Sequence, residues 1–73
     1  MAIYKYLCDM VQSREDPSAS EPRIAYELPD LNWGMQEYGS LPGIPFGRVL
    51  VTVNCDSNAD RAITAIPNVS KYT

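Results

Sequence analysis

Asp56-Ser57-Asn58-Ala59-Asp60 is the stretch whose residue types and spacing come nearest to a known chemistry, the first half of a calcium-binding loop. Such a loop needs oxygen ligands at alternate positions, a glycine at the sixth for its sharp turn, and a bidentate glutamate at the twelfth. Here the sixth position is Arg61 and the twelfth is Pro67. The pattern fails where the geometry is most demanding, so no metal is expected. Acid-base chemistry fares no better. Asp9, Glu27, Asp56 and Asp60 could approach one another near strand ends, yet no spacing supplies a partner base. Ser57 and Cys55 lack an activating group as well. The chain holds no histidine, which removes the commonest general base near neutral pH and the commonest metal ligand.

Phosphate binding is also disfavoured. Gly39, Gly43 and Gly47 are spaced four apart, but Pro42 and Pro45 interrupt them. A phosphate cradle needs successive free backbone amides leading into a helix, and here prolines intervene and a strand follows. Asn68-Val69-Ser70 matches a glycosylation sequon, which means little without a secretion signal. Tyr4, Tyr6, Tyr26 and Tyr72 suggest a base-stacking sheet, but Lys5 lies opposite Tyr4 and Tyr6 and no basic face accompanies them. Core packing is their expected use. No cofactor and no catalytic residue are expected.

The segment from Pro29 to Gly47, PDLNWGMQEYGSLPGIPFG, is the least ordinary part of the chain. It carries Leu31, Trp33, Met35, Tyr38, Leu41, Ile44 and Phe46 on a backbone broken by proline and glycine. Connectors are normally polar; one this apolar either folds back over the core or is buried by a partner. So small a domain cannot easily cover all seven side chains. These residues are the candidate protein-binding site, with Trp33, Met35 and Tyr38 as anchors, because large flat side chains dominate interface energy.

Composition narrows the partners. Nine acidic against six basic residues give a net charge of -3, with no run of either sign. This disfavours nucleic acid, whose phosphates call for a basic footprint. The first residues, MAIYKYLCDMV, include Lys5 and no uninterrupted apolar run, and read as neither a secretory signal nor a membrane span. With 73 residues the chain is expected to form a single small domain, burying roughly 60% of its unfolded surface. Cys8 and Cys55 are expected as small buried hydrophobes in a reducing compartment, and they could pair only if their strands are neighbours in matching register.

The elements that position these residues follow from periodicity. Ala2 to Val11 alternates Tyr4, Tyr6, Cys8 and Met10 with Ile3, Lys5, Leu7 and Asp9, and predicts a strand that is central or covered on both faces. Gln12 to Pro22 is polar and serine-rich, and predicts a long surface loop. Arg23 to Leu28 alternates again and predicts a second strand, stopped by Pro29. Asp30 to Tyr38 allows at most a short helical turn. Arg48 to Cys55 is the clearest strand, with Val49, Val51, Val53 and Cys55 on one buried face. A helix is predicted over residues 57–66, opened by a capping box of Ser57 and Asp60 and stopped by Pro67. Val69 to Tyr72 predicts a last strand, running parallel to Arg48–Cys55 if the helix crosses the sheet.

The expected fold is therefore α+β: three or four mainly antiparallel strands with one short helix on a face, the C-terminal strand-helix-strand resembling half a ferredoxin-like unit. The expected function is a non-catalytic interaction or assembly module, docking on a protein partner or a second copy through residues 31–46. A small viral or phage structural protein, cytoplasmic or virion-associated, suits such a chain. The alternative is a small ligand-binding protein or enzyme with the 29–47 loop as its lid.

Overall fold

Seven elements appear in the computed structural model, which describes residues 2–31, 34, 36–39 and 47–72. They are β1 (Ala2–Gln12), β2 (Ser20–Pro22), α1 (Arg23–Glu27), β3 (Gln36–Gly39), β4 (Arg48–Cys55), α2 (Ser57–Thr64) and β5 (Ser70–Lys71). Among the described residues the fold is a small α+β domain with five strands and two helices, and every strand pairing there is antiparallel.

Strand β1 is the spine. It pairs with β4 over eight positions, from Ala2 opposite Cys55 to Asp9 opposite Arg48. On its other edge it holds β2, through Met10 to Gln12, and β5, through Tyr6 and Leu7. Backbone polarity explains the division. The Met10 amide points at β4 and donates to the Gly47 carbonyl at 2.8 Å, whereas the Lys5 carbonyl faces the other way and accepts from the Tyr72 amide at 2.8 Å. Strand β3 pairs with the far side of β4 and so forms the sheet edge among the described residues. Gly47 enters β4 with φ +87°, a left-handed conformation that favours glycine.

The pleat sorts the side chains as the alternation requires. Tyr6, Cys8, Val49, Val51, Val53 and Cys55 are buried on one face, and both helices pack there through Ile24, Ala59 and Ile63. Among the described residues no element covers the opposite face, where Ile3 is 66% exposed and Leu7 and Leu50 are half-buried. Of the two expectations for β1, a central place or cover on both faces, the described residues show the central place.

Three segments depart from the sequence reading. Arg23–Glu27 is a helix, because Ile24 and Leu28 are also i,i+4 neighbours on one helical face. Its Leu28 amide donates to the Ile24 carbonyl at 3.0 Å, and Arg23 pairs with Glu27 at 3.5 Å. Six residues are too few for a period of two to exclude a period near four. The supposed 12–22 loop is a hairpin that returns as β2. Its turn is built locally: Ser13 Oγ, on a buried residue, accepts from the Glu15 and Asp16 amides, and Asp16 accepts from the Ser18 amide and hydroxyl. Gln36–Gly39 is a strand rather than a helical turn, because β4 offers it a paired edge.

The C-terminal elements match more closely. Helix α2 buries Ala59 and Ile63 and stops before Pro67. Its cap is Asp56, not Ser57: the Asp56 carboxylate accepts from the Ala59 amide at 2.9 Å. Strand β5 runs in the same direction as β4 but is separated from it by β1. No helix among the described residues is long and apolar enough to cross a membrane.

Candidate functional site

Cys8 and Cys55 sit on neighbouring strands and point to the same face, but the register keeps them apart. Cys8 lies opposite Val49 and Cys55 opposite Ala2, six strand positions or ~20 Å away. A disulfide tolerates at most ~7 Å between Cα atoms, so both thiols are free and buried. Burial pushes the pKa of each upward, away from a reactive thiolate.

The acids that the sequence offered for chemistry are engaged in structural roles. Asp60 accepts the Tyr6 hydroxyl at 2.6 Å and pairs with Lys71 at 3.0 Å. Asp9 pairs with Arg48 at 3.3 Å across β1 and β4, Glu27 pairs with Arg23, and Asp56 caps α2. Lys71 also lies over the Tyr4 ring, 4.7 Å from its centroid, and Tyr4 stacks on Tyr6. Among the described residues no three Cys, Asp or Glu side chains gather as a metal site.

A cleft of about 410 Å³ opens between the β1–β2 hairpin, α1 and β3. The hairpin contributes Ser13, Arg14, Glu15 and Glu21; α1 contributes Ala25 and Tyr26; β3 contributes Gln36 and Tyr38. Arg14 holds its guanidinium 4.3 Å from the centre of the Tyr26 ring. Tyr38 is 53% exposed. Burial of its phenol and the negative charge of Glu21 both push its pKa up. The cleft is thus walled by two tyrosines and two glutamates, with a single arginine laid against one ring.

Comparison with protein families, curated proteins and solved structures finds no match to this chain.

Of the seven predicted binding residues, the structure describes two. Tyr38 stands at the sheet edge and lines the cleft, while Leu31 is half-buried and packs against the core beside Leu28. Trp33, Met35, Leu41, Ile44 and Phe46 lie outside the described residues. Sequence reasoning missed Arg14, Glu15, Glu21 and Tyr26. They come from a stretch read as a plain polar connector and from one read as a strand, and only the hairpin and the short helix bring them to one place.

Proposed function

We propose that this chain is a non-catalytic protein-interaction or assembly module that docks through residues 31–46. Its partner is another protein or a second copy of itself. Tyr38 is the observation that supports this most: a large aromatic residue, 53% exposed, on an edge strand beside a cleft. The apolar composition of this segment, with Leu31, Trp33, Met35, Leu41, Ile44 and Phe46, supports the reading further. A cytoplasmic or virion-associated small subunit is the setting we favour. The shared direction of β4 and β5 around α2 supports the half-ferredoxin-like reading of the C-terminal part, which carries no function by itself.

Light scattering after size exclusion, run across a concentration series, tests the proposal. The parent should gain mass with concentration or with added partner, and Trp33→Ala and Tyr38→Ser should reduce that gain. Trp33 is the sole tryptophan, so its emission should shift to the blue as the complex forms. A parent that stays monomeric throughout, with Trp33 emission already that of a buried indole, sinks the reading. The cleft supports a second one, a small ligand held under residues 29–47, because about 410 Å³ falls within the size range of ligand sites. In that case ligand quenches Trp33 without any change in mass.

A further inference from the structure

We propose that the cleft receives a lysine or arginine side chain from an extended partner segment that pairs with the open edge of β3. The proposal rests on the interaction reading above and names the chemistry of the partner. Among the described residues no strand pairs with β3 on the side away from β4. The Gln36–Gly39 edge is therefore where an added strand would pair, through the backbone donors and acceptors that strand addition uses.

Register then decides where the added side chains fall. Gln36 lies opposite Val53 and Tyr38 opposite Val51, so both point to the helix-covered face, and both line the cleft. A strand added beside β3 places every second side chain on that same face, over the cleft. Charge decides which side chain fits. Glu15 and Glu21 line the cleft, and the charge of Glu21 reaches the Tyr38 phenol. Arg14 lines the cleft too but lies against Tyr26. A carboxylate there would therefore meet two like charges and one opposite, whereas a cation meets two opposite charges, one like charge and the exposed Tyr38 ring. Arg14 over Tyr26 shows that the cleft already seats one guanidinium against a tyrosine ring. The net charge of -3 adds a weaker attraction for basic partners at long range.

A fluorescein-labelled peptide of four Thr-Lys repeats is the probe, titrated into the full chain and followed by anisotropy. Its controls are a Thr-Glu peptide and a Thr-Lys peptide N-methylated at alternate amides. Saturable binding of the Thr-Lys peptide is expected, with none for Thr-Glu. Affinity should fall about tenfold or more for the N-methylated peptide and for the Glu15→Gln/Glu21→Gln variant. Circular dichroism of that variant confirms its fold. Failure of the Thr-Lys peptide to bind the parent overturns the proposal, as does equal affinity for the N-methylated peptide or for the double variant. If mass still rises with concentration while no peptide binds, only this inference falls. If the peptide binds and Trp33→Ala leaves the mass unchanged, the apolar docking reading falls instead.

Discussion

Tyr6 and Asp60 carry the most consequential polar contact among the described residues. Tyr6 is fully buried, and its hydroxyl reaches the Asp60 carboxylate, whose second oxygen meets Lys71. A buried hydroxyl left alone costs about 1–3 kcal/mol, so the pair links the β-sheet core to the first turn of α2. The Tyr6 hydrogen bond, then Lys71, hold the Asp60 pKa below its ordinary 3.8 despite opposing desolvation. That stability is present above the unfolded-state pKa and is lost as pH falls through the lower folded value. Burial, then the Asp60 bond, pushes Tyr6 above its ordinary 10.0. Its share is complete below pH about 10 and is lost as pH rises, because the unfolded tyrosine ionises first. Tyr6→Phe should therefore cost about 1–2 kcal/mol at neutral pH. Urea melts should show that cost narrowing in acid, below the ordinary carboxylate pKa. A cost that is flat with pH would contradict the assignment. None of this was legible in the sequence. The partners are 54 residues apart, and Asp60 read naturally as half of a local capping box.

Elements were legible where period, length and stop signals agreed. Strand β4 alternates over eight residues and buries the face its valines predicted. Helix α2 buries Ala59 and Ile63 and ends ahead of Pro67, as its spacing required. Its start at Ser57 was right but its cap was misassigned by one residue, because both Asp56 and Ser57 are good caps and only the geometry chooses between them. Asp56→Ala should cost about 1 kcal/mol in thermal or chemical melts, and Asp56→Asn should restore most of it. Equal losses in the two variants would remove the cap from the account. Short elements were not legible. Arg23–Glu27 and Gln36–Gly39 are five and four residues long, too short for their own patterns to decide between strand and helix. The cleft lies between such elements, which is why its residues escaped a reading made along the chain.

At the scale of the whole molecule, a sheet with both helices on one face keeps its two thiols inside the covered layer. Both should be inert to Ellman's reagent in the native state and react only as the domain opens, at a rate that rises with denaturant in step with unfolding. Fast labelling of either in native buffer would contradict their burial. An oxidant should yield no internal crosslink in the folded monomer, since the register separates the sulfurs.

The pairing of Ala2 with Cys55 and of Tyr6 with Lys71 has a consequence for how the protein is made. Strand β1 finds its main partner complete only after about forty further residues have been translated, so until then it is an open spine whose tyrosines lack their partners. With contacts this distant in sequence, folding of these residues should be slow for their number and largely deferred until synthesis has passed α2.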